Sequence, residues 1–211
     1  MFDPTTGRFS AGPSLHVGRL GHTATLMPDG RVLMAGGWTA ASADRASTEW
    51  YEPASRRFDR GAAMRLGRAG HTATLLRDGR VLIVGGVDGR ETPLSSAELF
   101  DPRTNRFVPA GSLHQARFKL PMALVKATDG RVFVLGGAET AEVFDPATGR
   151  FDEVRGSIGT AQFYGTAALL PGGQMLVAGG YAEGRDGLPG RPTSSLPDRR
   201  QAGAMSFSEG K

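Results

Sequence analysis

The four histidines are the residues best suited to chemistry, because the chain has no cysteine and a neutral imidazole is a common metal ligand. His22 and His71 open two copies of one phrase, GHTATL, and would approach each other if these copies were the first strands of adjacent units. A metal site would need a third ligand there, but the corresponding residues of the next two copies are Leu120 and Gly165. We therefore expect His22 and His71 to form hydrogen bonds at strand ends, with metal ligation as the alternative, and we expect no cofactor.

Other reaction chemistries lack their required residues. The absence of cysteine excludes disulfides, zinc–thiolate sites and thiol nucleophiles. The glycine-rich phrase GGVDGR at 85–90 has neither the following helix nor the lysine of a phosphate-binding loop. No serine stands in a nucleophile elbow, and the acidic residues recur at repeat positions instead of forming an isolated pair for glycoside hydrolysis. No catalytic residue is predicted.

An internal repeat of roughly 50 residues indicates the structural units that would position these residues. A double glycine follows an apolar run in each copy, and an aromatic–acid–proline triplet follows later. The double glycines are Gly36-Gly37, Gly85-Gly86, Gly136-Gly137 and Gly179-Gly180. The triplets are Phe2-Asp3-Pro4, Tyr51-Glu52-Pro53, Phe100-Asp101-Pro102 and Phe144-Asp145-Pro146. Each triplet leads through a turn to a phenylalanine, as in TTGRF and ATGRF, so the copies share one register.

Within one copy the pattern predicts four short strands. HTATL alternates with the two-residue period of a strand, and RVLMAGG contains a β-branched and apolar run. Asp29-Gly30 between them predicts a tight hairpin turn in which both residues have positive φ angles. SSAELF is the predicted third strand, and the TGRF turn leads to the fourth. No segment has helical periodicity over ten or more residues, so the predicted fold class is all-β.

A charged pair is predicted inside three of the copies. Arginine precedes the first strand and glutamate lies in the third strand, at Arg19 and Glu49, Arg68 and Glu98, and Arg117 and Glu142. The fourth copy has Gln162 at the arginine position and no matching glutamate. We expect each arginine to pair with the glutamate of its own copy, so that both charges are compensated near the packing between units.

The repeat resembles the kelch repeat of β-propellers. The double glycine after an apolar strand, the glutamate–x–aromatic–acid–proline phrase and the later aromatic residue carry this resemblance over residues 1–181. The pattern is also similar to bacterial kelch proteins and to the propeller of galactose oxidase. The copper-radical chemistry of that enzyme needs a tyrosine cross-linked to cysteine, which this cysteine-free chain does not contain.

The resemblance implies a kelch-type β-propeller with about three complete four-stranded blades and partial blades at both ends. The expected blades are 17–64, 66–113 and 115–158, the partial blades are 1–15 and 161–181, and residues 182–211 are expected to be disordered. Three arrangements follow: an open arc, a propeller of roughly eight blades closed by a second copy, or a fragment of a longer protein. Of these, the fragment is the favoured interpretation.

The loops that differ between copies are the expected binding positions, because shared residues build the blade while variable loops meet ligands. Trp38, Arg45, Asp88, Arg90 and Glu91 lie in the variable loops after the first two double glycines and are expected to be exposed. The phrase FKLPMALVK at 118–126 is the other irregular segment.

The charge of the chain points to no concentrated basic patch. The formal charge is +4 and the pI is near 9.9, but many arginines occupy repeated turn positions and are spread around the repeat. We expect no nucleic-acid partner. The apolar runs are too short to cross a membrane, and no signal-peptide pattern is visible at the N-terminus, so we expect the chain as written to be cytoplasmic. If the N-terminus is truncated, a secreted or periplasmic location is expected instead.

Two functions are compatible with the pattern. The first is a non-catalytic scaffold that binds a protein or carbohydrate ligand and self-associates to complete a propeller. The alternative is a carbohydrate-active or oxidase-like propeller enzyme whose active residues lie in the channel or in blades outside this chain. Partner capture that depends on the variable loops, without turnover, would distinguish the scaffold from the enzyme.

Overall fold

The computed structural model describes residues 1–41, 45–118, 124–156 and 163–180. No α-helix occurs in these residues, and the predicted all-β fold class is confirmed. The strands in the described ranges are β1 (Phe2–Asp3), β2 (Arg8–Phe9), β3 (Arg19–Leu20), β4 (Thr23–Leu26), β5 (Val32–Ala35), β6 (Trp38–Thr39), β7 (Thr48–Glu52), β8 (Arg57–Arg60), β9 (Thr72–Leu75), β10 (Val81–Val84), β11 (Ser96–Asp101), β12 (Arg106–Ser112), β13 (Leu124–Lys126), β14 (Val132–Val134), β15 (Glu142–Asp145), β16 (Arg150–Glu153), β17 (Thr166–Leu169) and β18 (Met175–Ala178).

Three four-stranded antiparallel sheets form the body of the molecule. Blade one has the order β4-β5-β7-β8, blade two β9-β10-β11-β12 and blade three β13-β14-β15-β16. Two further hairpins are separate two-stranded sheets, namely β1-β2, here called the N-terminal hairpin, and β17-β18, here called the fourth-copy hairpin. The predicted tail at 182–211 lies outside the described residues.

The first two strands of each blade are joined by a turn that differs from the predicted one. In blade two the Gly79 amide donates to the Leu76 carbonyl at 3.2 Å, and the Leu76 amide donates to the Arg80 carbonyl at 2.8 Å. Only Gly79 has a positive φ, of 86°, so the expectation of two positive φ angles is wrong. Asp78 instead accepts the Arg80 amide on its side chain at 3.0 Å. The aspartate therefore closes the turn as an acceptor, and the glycine supplies the left-handed residue.

The hydrophobic core lies between blades and not within them. Along β10, Val81 and Ile83 pack toward blade one, whereas Leu82 and Val84 pack toward blade three. All four side chains are fully buried because alternate residues of a strand point to opposite faces, and both faces of this sheet are covered. A third core joins blade three to the fourth-copy hairpin through residues such as Phe133 and Met175. The blades and the fourth-copy hairpin therefore stack in sequence order.

An aromatic pair marks the outer half of each unit. The aromatic residue of each triplet lies opposite the later phenylalanine in the antiparallel register. The ring centroids are 4.8 to 5.2 Å apart in the pairs Phe2–Phe9, Tyr51–Phe58, Phe100–Phe107 and Phe144–Phe151. The recurring triplet and phenylalanine of the sequence are thus one cross-strand contact repeated along the chain.

The predicted arginine–glutamate pairs are confirmed in all three blades. The Nη2–Oε1 distances are 2.9 Å for Arg19–Glu49, 3.0 Å for Arg68–Glu98 and 2.9 Å for Arg117–Glu142. These side chains are almost completely buried. Each pair connects the segment before the first strand to the third strand of the same blade, and so holds the end of the blade at which the double glycines lie.

The double glycines allow adjacent blades to approach each other closely. The Gly37 amide of blade one donates to the Arg68 carbonyl at 2.9 Å, and the Gly86 amide of blade two donates to the Arg117 carbonyl at 2.7 Å. Gly36 of blade one has a φ of 64°, and a Cβ on it would collide with the Arg68 carbonyl oxygen of blade two. Any side chain at this position would collide with the backbone of the next blade, so the close approach depends on glycine.

Candidate binding site at the inner strands

The first strands of successive units surround one cavity of about 400 Å³. This volume lies within the range of small-ligand pockets. The cavity lies at the double-glycine end of the blades, because a Cβ on Gly37 would lie 3.0 Å from His22 and one on Gly86 would lie 2.9 Å from His71. Its described lining residues are Gly21, His22, Thr23, Ala24, Trp38, Gly70, His71, Thr72, Ala73, Thr74, Leu124, Tyr164 and Ala167. Residues far apart in the sequence therefore meet at the inner strands of the stacked blades.

His71 is a buried, uncharged member of this lining. Its side chain is 2% exposed, and its Nε2 lies 3.0 Å from the Thr23 hydroxyl of blade one. Burial lowers the pKa of His71 to about 3, and the neighbouring Arg68 and His22 charges act in the same direction. At neutral pH His71 is therefore a neutral hydrogen-bonding residue that joins the inner strands of blades one and two.

His22 is also shifted toward the neutral form. Partial burial lowers its pKa, and the Arg19 guanidinium lowers it further. Both histidines line the same cavity, as the adjacent-strand hypothesis predicted. Within the described residues there is no group of three histidine, cysteine, aspartate or glutamate side chains suited to a metal ion. Gly165 corresponds to His71 in the fourth copy, and Leu120 lies outside the described residues.

Trp38 forms a rim over the cavity. It belongs to β6, which pairs with β3 so that Trp38 lies opposite Leu20. The indole ring packs where a Cβ of Gly21 would be, so glycine at this position is required by the ring. The Trp38 Nε1–H donates to both carboxylate oxygens of Glu91, at 3.1 Å each. The ring is therefore held by the loop of the neighbouring blade.

Glu91 links the loops of two blades. Arg45 of blade one contacts it through an Nη2–Oε1 distance of 2.7 Å, and the Arg45 Nη1–H donates to the Asp88 carbonyl at 2.5 Å. Glu91 has a φ of 61°, which is uncommon for a residue with a side chain. We call Trp38, Arg45, Asp88 and Glu91 the rim cluster. Burial acts to raise the pKa of Glu91. The hydrogen bonds that its carboxylate accepts from the Arg45 guanidinium and the Trp38 indole outweigh this effect, so the pKa is lowered.

Four of the five candidates from the variable loops thus contact one another. The expectation that all five are exposed is wrong for Arg45, which is 7% exposed because it lies beneath the loop of blade two. Asp88 accepts the amides of Arg90 and Thr92 on Oδ1, at 2.8 and 2.9 Å, and so shapes its own loop. Arg90 is exposed beside the cluster. The irregular segment 118–126 is described at Phe118 and from 124 onward, and Phe118 packs against Phe163 at 5.4 Å between ring centroids.

Tyr164 and Thr23 are cavity residues that the sequence analysis missed. Tyr164 is half exposed and has a φ of 58°, and Thr23 bonds to a histidine of the next blade. Tyr164 lies at the repeat position of Gly70, one residue before the equivalent of His71. A comparison of the copies at this position would have identified Tyr164, because it is an aromatic residue where blade two has glycine. No local signal indicated the role of Thr23, since it repeats as an ordinary strand residue.

The geometry described above matches a known repeat. Residues 68–114 match the family model of the Kelch motif. This kelch motif begins at Arg68 of the buried arginine–glutamate pair and includes all four strands of blade two. None of the curated proteins compared with the chain matches it. Together with the four-stranded antiparallel sheets, the motif supports the kelch-type β-propeller as the fold class.

In the part of the chain that the structure describes, there is no helix with the length and apolar character needed to span a membrane.

Proposed function

We propose that the chain is a non-catalytic kelch-repeat scaffold that binds a protein partner at the double-glycine end of its blades. Kelch repeats commonly mediate protein interactions, which fits such a partner. The surface in question contains the rim cluster, the exposed Arg90 and the mouth of the cavity. The resemblance to galactose oxidase is one of sequence pattern, and the proposal does not depend on it.

The observation that carries the proposal is the inter-blade contact of Glu91 with Trp38 and Arg45. Loops that only connect strands need no contact with the next blade. Here, two variable loops are joined by an ion pair at 2.7 Å and by an indole N–H that is shared between both carboxylate oxygens at 3.1 Å each. The contact orders both loops before any partner arrives, so less conformational entropy is lost on binding. An aromatic residue and an exposed arginine beside it are the residue types that dominate binding energy at interfaces.

We also propose that the chain is a partial propeller. The separate N-terminal hairpin and fourth-copy hairpin have the strand pattern of incomplete blades. Their exposed faces are suited to self-association with another copy.

The function can be tested with the full chain as bait. A captured partner would be purified, and its dissociation constant measured for the wild type and for Trp38→Ala and Arg90→Glu separately. We expect each substitution to weaken binding by about tenfold or more, as removal of an interface anchor of over 1.4 kcal/mol would. Arg90 is exposed, so Arg90→Glu should leave the thermal midpoint unchanged and report on binding alone.

The matched control is Arg103→Glu, which makes the same charge change at an 83% exposed side chain at the opposite end of blade two. This variant should bind as the wild type does. A partner that binds Trp38→Ala and Arg90→Glu with unchanged affinity would contradict the proposal. Substrate turnover that requires the cavity residues would also contradict it.

A further inference from the structure

The cavity at the inner strands carries no formal charge on any described lining residue at neutral pH. Its polar groups are threonine hydroxyls, the Tyr164 hydroxyl and two imidazoles. Both imidazoles are neutral, since burial lowers the pKa of His71 to about 3 and also lowers that of His22. The remaining walls are glycine, alanine, leucine and the indole of Trp38. At the described walls, a ligand group that enters this space therefore meets dipoles and apolar surface, and no counter-ion.

Three described charged residues beside the cavity are compensated by partners of opposite sign. Arg19 and Arg68, which act on the histidines, are fully buried and paired with Glu49 and Glu98. On the rim, Glu91 is paired with Arg45 at 2.7 Å. Arg19, Arg68 and Glu91 therefore do not need a ligand of opposite charge. Among the described residues, the charged groups beside the cavity that are named above thus leave no uncompensated charge to attract an anion or a cation.

One wall of the cavity is a fixed aromatic surface. The Trp38 indole is held at its edge by Glu91, and it packs against the backbone of Gly21. Because the indole N–H is occupied by the carboxylate, the ring contributes apolar surface and not a hydrogen-bond donor to the cavity. Such a surface favours contact with a ring or an aliphatic chain of the ligand.

We propose that this cavity receives an uncharged anchor side chain of a protein partner, aromatic or aliphatic, and discriminates against charged side chains. The inference rests on the proposed protein-binding function and specifies which residue type of the partner enters the site. A volume of about 400 Å³ accommodates one large side chain. A charged side chain is disfavoured because it would lose hydration without gaining an ionic partner from the described walls.

The discrimination can be measured without the partner, using N-acetyl amino-acid amides as probes of the full chain. Titrations followed by ligand-observed NMR would compare phenylalanine and leucine amides with lysine and aspartate amides. We expect the two neutral probes to bind at least tenfold more tightly than the two charged ones. Equal binding of charged and neutral probes, or no binding of the neutral probes, would overturn the inference. Binding of methyl glucoside with exclusion of the neutral amides would overturn it as well, in favour of a sugar site.

A substitution can reverse the preference and locate the site. Ala24 is an exposed residue of the lining, so Ala24→Asp adds a carboxylate to the cavity with little change of the core. We expect this variant to bind the lysine amide at least tenfold more tightly than the wild type does, and the phenylalanine amide more weakly. Ala168→Asp is the matched control, because Ala168 is an exposed first-strand residue outside the described lining. An identical response of both variants would overturn the assignment of the site.

Failure of this inference is distinguishable from failure of the proposed function. If the amides do not discriminate but the Trp38→Ala and Arg90→Glu variants lose the partner, the anchor inference is wrong and the scaffold function stands. If the neutral amides bind in the cavity but no partner depends on the rim, the anchor chemistry stands as measured and the scaffold function is wrong.

Discussion

At the residue scale, the buried glutamate of each blade has more partners than the sequence pattern indicated. In blade two, Glu98 Oε1 accepts from Arg68 Nη2 at 3.0 Å and from the Leu66 amide at 3.1 Å, and Oε2 accepts from the Arg65 amide at 2.8 Å. Arg68 also donates to the carbonyls of Gly85 and Ser96. Because these groups are buried, each hydrogen bond replaces one lost to water.

We expect Glu98→Gln to lower the free energy of unfolding by about 3 to 5 kcal/mol, since it leaves the Arg68 guanidinium buried without a counter-ion. Urea unfolding followed by circular dichroism would measure the change.

Glu153→Gln makes the same substitution at an exposed residue of β16 and should leave the unfolding midpoint nearly unchanged. A Glu98→Gln variant that unfolds at the same urea concentration as Glu153→Gln would contradict a stabilising role for the pair.

At the element scale, a blade is defined by two kinds of glycine that differ in their surroundings. Gly79 lies in the turn between β9 and β10, has a φ of 86° and has open space where a Cβ would be. Gly86 ends the same hairpin and has a similar φ of 95°, but a Cβ on it would lie 2.7 Å from the Ala69 carbonyl oxygen and 2.9 Å from the His71 Cβ. A side chain at either position would strain the backbone, but only a side chain at Gly86 would also collide with neighbouring atoms. Substitutions at the two positions therefore distinguish backbone strain from steric collision.

We expect Gly79→Ala to cost about 1 kcal/mol of stability, and Gly86→Ala about 3 kcal/mol, the difference being the collision of the new Cβ with the Ala69 carbonyl at the edge of blade two. Thermal or urea unfolding of the two variants would give both values. Equal losses at the two positions would show that close packing around the double glycine does not contribute.

The pairing of strands within a blade was predictable from the sequence because it depends on local periodicity. Alternation in HTATL and the apolar run after Asp29-Gly30 predicted β4 and β5, and the structure pairs them directly. The turn type between these two strands could not be predicted from local periodicity. Asp-Gly is compatible with several turn types, and the choice depends on the length of the loop that begins at Met27 and ends at Arg31.

At the scale of the whole molecule, equivalent residues have different environments in the N-terminal hairpin and in blade two. Phe100 and Phe107 of blade two are 0% and 7% exposed because blade one covers them. Their equivalents in the N-terminal hairpin, Phe2 and Phe9, are 55% and 83% exposed. An exposed aromatic pair of this kind promotes association with another apolar surface.

We expect the full chain to self-associate with rising concentration, and Phe9→Asp to reduce the association several-fold without lowering the free energy of unfolding by more than about 0.5 kcal/mol. Multi-angle light scattering across a concentration series would give the mass of each species.

Val108→Asp introduces the same charge at a 44% exposed residue on the outer strand of blade two and should associate as the wild type does. A wild type that stays monomeric throughout the series, or a Phe9→Asp variant that associates equally, would contradict a role for the exposed pair.

The sequence by itself determined the elements and their internal contacts: short strands from two-residue alternation, the buried arginine–glutamate pairs from their recurrence, and the kelch pattern from the order of these features. These follow from local periodicity and from the need to compensate a buried charge within one unit. Only the tertiary structure decided that Arg45 is buried, that Trp38 and Glu91 meet across two blades, and that Tyr164 shares a cavity with His22. The reason is that stacking of the blades sets these contacts, and stacking joins residues that no local pattern relates.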